Sequence, residues 1–192
     1  MPYALVVLGY LAGSIPFGVL LTRWLVGVDV RQKGSGNIGA TNVTRVAGKK
    51  LGAVVLLLDA LKGALPVALA LRLSPGQPTL HVLVGLSAVL GHVYPVWLRL
   101  HGGKGVATAL GVLVVLVPMA ALAGALVYAA ILAVWRVSSL GSLAAGATAV
   151  GTSALTARAM EYAGLSAVLF ALMLWTHRSN IGRLMRHTER RF

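Results

Sequence analysis

Apolar residues run through this chain in long stretches, and the polar residues collect between them. The first stretch covers residues 3–26, and later ones cover 51–72, 79–98, 106–135, 137–157 and 162–176. Several approach or exceed the ~20 residues a helix needs to cross a hydrocarbon core. Lipid offers no partner to a peptide N–H or C=O, so each span is expected to satisfy its own backbone as a helix. Ser14 and Pro16 should kink the first helix, and Pro118 interrupts the stretch 106–135, dividing it into two short helices. Residues 137–157 are less apolar and rich in small side chains (Ser138, Ser139, Gly141, Gly146, Gly151), which suits close helix packing. The pattern predicts an all-α integral membrane protein, a polytopic bundle forming one domain over residues 1–192.

Charge gives that bundle an orientation. Residues 27–50 carry Arg31, Lys33, Arg45, Lys49 and Lys50, and the C-terminal segment carries Arg178, Arg183, Arg186, Arg190 and Arg191. The turn Ser74-Pro75-Gly76-Gln77-Pro78 carries no charge. Basic residues stay on the cytoplasmic side, so the N-terminus is expected outside, and residues 27–50, 99–105 and the tail inside. This arrangement requires an odd number of crossings. Splitting 106–135 at Pro118 gives seven, and a single crossing by 137–176 gives five. The N-terminal run has no basic n-region and no A-x-A-like cleavage site, and is read as a retained helix. Trp24, Trp97, Trp135 and Trp175 fall near span ends, as interfacial anchors do.

Composition narrows the chemistry. The chain is 58% hydrophobic, with mean hydropathy +0.85. It has no cysteine, which excludes disulfides, thiolate catalysis and thiolate metal sites. Its only acids are Asp29, Asp59, Glu161 and Glu189, too scattered to suggest a metal centre. The 17 Lys and Arg residues suit anionic lipid headgroups or an anionic substrate. Nucleic acid does not fit, because the basic residues sit at membrane boundaries. Asp59 and Lys62 lie within a span and three residues apart, on one helix face, where they are expected to pair. His81 and His92 read as core histidines.

Polar residues of a different kind close three of the apolar stretches. Gly34-Ser35-Gly36-Asn37-Ile38-Gly39 matches G-x-G-x-x-G, but a membrane helix precedes it rather than the strand of a dinucleotide fold. What survives is the physics: glycines let N–H groups converge on an anion, and a short helix over about 41–47 would point its N-terminus at it. Ser35, Asn37, Thr41 and Asn42 add hydrogen-bonding groups, and Arg45 a charge. His101-Gly102-Gly103-Lys104-Gly105 resembles a truncated Walker A, without its first glycine and its Ser or Thr, so triphosphate hydrolysis is not expected. A glycine loop with a lysine at the start of a helix would still form a phosphate nest. His177-Arg178-Ser179-Asn180 opens the basic tail, with Glu189 beyond it. His177 and Glu189 could act as acid–base or orienting groups, or the segment could bind anionic lipid. Together the runs suggest one anion-handling site at one face of a bilayer.

Taken in order, Ser14-Ile15-Pro16-Phe17-Gly18, Gly34 to Asn42, Leu58-Asp59-Ala60-Leu61-Lys62-Gly63, Gly91-His92-Val93-Tyr94-Pro95-Val96-Trp97, Gly102 to Thr108, and His177 to Leu184 resemble the bacterial acyl phosphate:glycerol-3-phosphate acyltransferases of the PlsY type. The resemblance covers nearly the whole chain. It departs where the family usually has Gly-Thr-Glu and this chain has His187-Thr188-Glu189. It implies a seven-helix inner-membrane enzyme working at the cytoplasmic face, without metal or cofactor. The implied reaction moves a fatty acyl group from acyl phosphate to the 1-hydroxyl of glycerol 3-phosphate, giving lysophosphatidic acid and phosphate. No histidine here begins the His-x₄-Asp of other glycerolipid acyltransferases. On this reading Ser35, Lys104, His177 and Asn180 carry the chemistry. Gly36, Asn37, Thr41, Arg45, Gly102, Gly103, Lys104, Gly105 and Glu189 bind the substrates. Of two routes, Ser35 as a nucleophile activated by His177 or direct attack by the glycerol hydroxyl, direct attack is expected, because the donor is already activated. A transporter or channel for a small phosphorylated anion is the competing function. It would need polar groups at both faces, and the outer loops offer few.

Overall fold

A computed structural model describes residues 3–192, and every ordered element among them is helical. Contacts group the chain into two compact units, Met1–Val112 and Leu113–Phe192.

The first unit begins with α1, Ala4–Ser14, and α2, Phe17–Val26. The expected kink is a complete break. Pro16 has no N–H to continue the ladder, and Ile15 adopts an extended conformation. α3 follows at Ala40–Ala47, close to its expected limits, then the long α4 at Lys49–Leu73 and α5 at Pro78–Val93. α6, Val106–Leu116, begins in this unit. α4 is built inside out for lipid. Leu57, Leu61, Leu65 and Leu69 recur at the helical spacing on its exposed side, while Val55, Asp59, Lys62, Gly63, Pro66, Val67 and Ala70 are buried. α1 packs on α5 with the backbones in near contact: a Cβ on Gly13 would lie 2.0 Å from the Ala88 carbonyl oxygen, and one on Gly91 2.2 Å from that of Tyr10. The Ser87 hydroxyl donates across that interface to the Val6 carbonyl at 2.8 Å. Val19, Val30, Ile38, Val43 and Val55 form a buried cluster that fastens the loop after α2 to α3 and α4. A groove of about 350 Å³ lies beside α4, lined by Leu8, Ile15, Phe17, Leu58, Leu61 and Lys62 among others.

In the second unit α7 spans Pro118–Trp135, α8 Ser138–Thr156, α9 Met160–Thr176 and α10 Arg178–Met185. The split expected at Pro118 is present, with Pro118 as the first residue of α7, where its missing N–H costs nothing. Most of the small residues of α8 face its neighbours, but Gly151 is exposed and touches none. Gly141 packs on the Tyr128 ring of α7, and Gly146 on Phe170 of α9. Buried hydroxyls of Ser153 and Ser166 bond across α8 and α9 at 2.8 Å.

Among the described residues, four helical segments are long and apolar enough to cross a membrane: Ala4–Val26, Lys49–Leu73, Pro78–Leu98 and Pro118–Trp135. Val106–Leu116 and Met160–Thr176 are shorter apolar helices. Trp24, Trp97, Trp135 and Trp175 are all exposed at or near helix ends, the place of an aromatic belt.

Candidate functional site

The loop between α2 and α3 is built around one side chain. Asn42, 1% exposed at the start of α3, accepts the Ser35 N–H on its Oδ1 at 2.8 Å. Its Nδ2 donates to the carbonyls of Val30 and Lys33 at 3.0 Å and of Asn37 at 2.9 Å. Gly34 and Gly36 have φ of +61° and +74°, and a Cβ on Gly34 would strike Asn42 Oδ1. Upstream, the Asp29 carboxylate caps a 3-10 turn, Val30–Gln32, and binds Arg23 and Arg31 at 2.7 Å each. Hydrogen bonding from Arg31 outweighs the effect of burial and holds Asp29 far below the usual carboxylate range.

This architecture corrects the expected anion nest. The N–H groups of Ser35, Gly36 and Gly39 donate within the loop, to Asn42 Oδ1, the Lys33 carbonyl and Asn37 Oδ1. What the loop presents outward is side chains. Ser35 is exposed, and Asn37, Thr41 and Arg45 are half-buried. Arg45 sits in the last turn of α3, where a cation suits the helix dipole.

The glycine–lysine loop shows the same economy. After the 3-10 turn Val96–Leu98, Arg99 and Leu100 both take left-handed φ, +51° and +63°, at a cost of ~1–2 kcal/mol each. Bonds from Leu100 N–H to the Pro95 carbonyl, and from His101 N–H to that of Leu98, hold the bend. His101 Nδ1 donates to the Arg99 carbonyl at 2.6 Å. The Gly102 and Gly103 amides bond within the chain. They donate to the carbonyls of Val93 and His92, each at 3.0 Å, closing the C-terminal end of α5. A Cβ on Gly103 would lie 2.1 Å from His92 Nε2, so only glycine lets this backbone lie against the imidazole. Lys104 is half-buried, and Gly105, at φ +81°, leads into α6. Leu98 packs on the valine cluster that carries the first loop, so both polar loops share one apolar support.

In the second unit, His177 sits at the junction of α9 and α10, 2% exposed. Its Nδ1 lies 2.9 Å from the Met173 carbonyl. A carbonyl only accepts, so Nδ1 carries the hydrogen, and Nε2 of the neutral ring is an acceptor. Asn180, buried one turn on, donates from Nδ2 to Glu189 Oε1 at 2.7 Å, and Arg183 Nε donates to Oε2 at 2.7 Å. Glu189 thus braces Asn180 and Arg183. Burial pushes its carboxyl up, but the bonds from Asn180 and Arg183 outweigh that and hold it below the ordinary value. The chain turns back to make this contact at His187, whose φ is +55°. Glycine takes that conformation without strain, which explains the Gly-Thr-Glu expected there. The Phe192 N–H then donates to the Arg136 carbonyl at 2.8 Å, fastening the tail to the turn before α8.

Two features escaped the sequence reading. Asn42 stood there as one of several hydrogen-bonding groups, and its hub role has no sequence signature beyond an amide among glycines. His92 stands in the sequence as a lone core histidine, yet its Nδ1 lies 3.7 Å from Asp59 Oδ1 and its ring abuts Gly103. The expected Asp59–Lys62 pair is present at 2.8 Å.

Comparison with known proteins gives a consistent result. Residues 3–187 match the family described as glycerol-3-phosphate acyltransferase. The chain is similar to the glycerol-3-phosphate acyltransferase of Myxococcus xanthus (strain DK1622), with 84% identity over the full length of both. It is 54% identical to that of Anaeromyxobacter sp. (strain Fw109-5), over 97% of this chain and 94% of the relative. Its structure is similar to a crystal structure of PlsY, an integral membrane glycerol 3-phosphate acyltransferase, in the glycerol 3-phosphate form. There the TM-score is 0.94 and the identity 43%, over 100% of this chain and 95% of the other. The lysophosphatidic acid form of PlsY matches with a TM-score of 0.93 and 42% identity over the same shares.

Proposed function

The chain belongs to the glycerol-3-phosphate acyltransferase family, and from that premise we propose that it moves a fatty acyl group from acyl phosphate to the 1-hydroxyl of glycerol 3-phosphate. The products are lysophosphatidic acid and inorganic phosphate. The observation that carries this reading is the 43% identity, over the whole chain, to a structure in the glycerol 3-phosphate form. The related lysophosphatidic acid form supports the product. The donor follows from the sequence resemblance to the acyl phosphate-dependent family. The apolar groove beside α4 suits a fatty chain.

The seven apolar helical segments, α1–α2, α4, α5, α6, α7, α8 and α9, support seven crossings in a bacterial inner membrane. Basic residues in 27–50 and in the tail support an external N-terminus, a cytoplasmic C-terminus and chemistry at the cytoplasmic face.

The residues then take these roles. Lys104 neutralises one substrate phosphate, in a loop whose shape needs Gly102, Gly103 and Gly105. Arg45, Ser35, Asn37 and Thr41 engage the other phosphate through side chains, with Gly36 setting the turn that presents Ser35. His177, its hydrogen on Nδ1, offers Nε2 to the proton of the attacking hydroxyl, and a phosphate oxygen is the other possible acceptor. Asn180, oriented by Glu189, holds the reacting groups. The hydroxyl oxygen attacks the acyl carbon, and the bond from that carbon to the phosphate oxygen breaks. Acyl phosphate is a mixed anhydride with a good leaving group, so positioning and charge stabilisation suffice, and a covalent detour through Ser35 gains little.

The test is phosphate release from acyl phosphate by the purified protein in liposomes. Release should require glycerol 3-phosphate, match lysophosphatidic acid formation mole for mole, and leave no acyl group on the protein when acyl phosphate is supplied alone. Uptake of glycerol 3-phosphate into the liposomes without acyl transfer would replace this reading with a transporter. An acyl group on Ser35 that glycerol 3-phosphate removes at the rate of turnover would replace direct attack with a covalent route.

A further inference from the structure

Asp59, Lys62 and His92 have no part in the roles above, yet all are buried, at 2%, 5% and 3% exposure. Ionisable groups within a membrane span are costly and need an explanation. A buried ion pair is weak evidence for stability, since an apolar replacement is often at least as stable. The explanation here lies in what each group touches. Lys62 Nζ pairs with Asp59 Oδ1 at 2.8 Å and donates to the Ile15 carbonyl at 2.7 Å. That carbonyl lies at the break between α1 and α2, where the helix ladder stops. The same ammonium lies 5.7 Å from the centre of the Phe17 ring. His92 Nδ1 stands 3.7 Å from the same Asp59 oxygen, with no hydrogen-bond partner of its own. The far edge of that imidazole, Nε2, faces Gly103, and the His92 carbonyl receives the Gly103 N–H at 3.0 Å.

The turn of α4 that carries Asp59 and Lys62 also fixes the start of α6. A Cβ on Gly63 would lie 2.2 Å from the Thr108 carbonyl oxygen, and one on Gly111 1.9 Å from that of Ala60. The backbones of α4 and α6 are therefore in contact within this turn, at Ala60, and directly after it, at Gly63. Residues 102–105 are thus held at both ends: by His92 from α5 at Gly103, and by α4 through the beginning of α6.

We propose that Asp59, Lys62 and His92 form a positioning network that joins the break between α1 and α2 to the glycine–lysine loop and sets where Lys104 meets a substrate phosphate. The proposal rests on the assignment of Lys104 made above. Lys62 holds the break, Asp59 balances its charge and limits where the imidazole can sit, and the imidazole sets the height of Gly103. The three act by position: Lys62, which also lines the groove beside α4, keeps its ammonium on Asp59 and the Ile15 carbonyl.

The experiment compares wild type, Lys104→Ala and the charge-free double variant Asp59→Asn with Lys62→Met in liposomes, reading KM for each substrate, kcat and Tm. Removing both charges together avoids leaving one of them buried alone. A displaced loop should raise KM by about tenfold or more. The rise should fall on the same substrate whose KM Lys104→Ala raises, with the other KM unchanged and Tm near that of wild type. A folded double variant with both KM values as in wild type overturns the proposal, as does a loss of kcat alone. If wild type makes no lysophosphatidic acid, the functional reading fails instead. If Lys104→Ala leaves both KM values unchanged, the proposal fails, because Lys104 then makes no contact to bound substrate for the network to set.

Should the double variant not fold, a second pair decides. Gly103→Ala places a methyl group where His92 Nε2 lies and should raise the same KM. Adding His92→Ala removes the obstructing ring and should bring KM back toward wild type. No recovery in the combined variant overturns the proposal.

Discussion

Replacing Asn42 tests whether the first loop is a preorganised device or a flexible connection. Its amide makes four bonds within the loop: one accepted from the Ser35 N–H and three donated to the Val30, Lys33 and Asn37 carbonyls. Two amide hydrogens serve three carbonyls, so the donated bonds are shared and not additive. At a net ~0.5–1.5 kcal/mol each, with some partners left buried and unsatisfied, Asn42→Ala should cost the ordered loop about 3 kcal/mol. If the reaction needs that loop conformation, kcat/KM should fall roughly 100-fold. Asn42→Asp keeps the acceptor for Ser35 but turns the Nδ2 donor into an oxygen facing three carbonyls, so it should be at least as damaging despite its similar shape. The assay is acyl transfer in liposomes, paired with hydrogen exchange. The Ser35 amide should lose protection in Asn42→Ala while amides inside α4 and α5 keep theirs. Near-normal kcat/KM together with an unprotected Ser35 amide would refute the argument, because the loop would then be disordered and still competent.

Lys104→Ala removes the cation of the second loop and should lower kcat/KM by roughly 30- to 1000-fold, the range for loss of ~2–4 kcal/mol of preorganised charge stabilisation, with expression retained. Near-normal turnover would remove Lys104 from the site. Glu189 titrates lower folded than unfolded, so its stabilisation is full above the ordinary value of 4.5 and is lost as pH falls through the lowered folded value. The Tm difference between wild type and Glu189→Gln should therefore be constant around neutral pH and vanish in acid, and a difference that persists below both values would contradict this sign. For topology, cysteines placed at the exposed positions Gly76, Ser35, His101 and Thr188 should react with an impermeant reagent from outside only at Gly76. Labelling at His101 from outside would overturn the cytoplasmic assignment.

The helical segments and their breaks were legible in the sequence because their causes are local. A run of apolar residues must bond its own backbone in lipid wherever it lies. Pro16 and Pro118 lack an N–H in any fold and both mark breaks, although α4 carries Pro66 without one, so a proline shows where the ladder can stop rather than where it must. The Asp59–Lys62 pair was legible for the same reason, since three residues along a helix share a face. The destinations of the glycine amides were not legible. Gly102-Gly103-Lys104-Gly105 has the composition of a phosphate nest, but a glycine N–H bonds whatever acceptor the fold brings to it. Here α5 ends beside the loop, and the open carbonyls of His92 and Val93 take both amides. Asn42 likewise became the centre of its loop only because residues 30–37 wrap back over α3. The contact of His92 with Gly103 depends on the path of the chain from α5 to α6. Helix placement follows from the covalent chain and its solvent, whereas hydrogen-bond partners are chosen by proximity among residues far apart in the chain, which only the folded packing supplies.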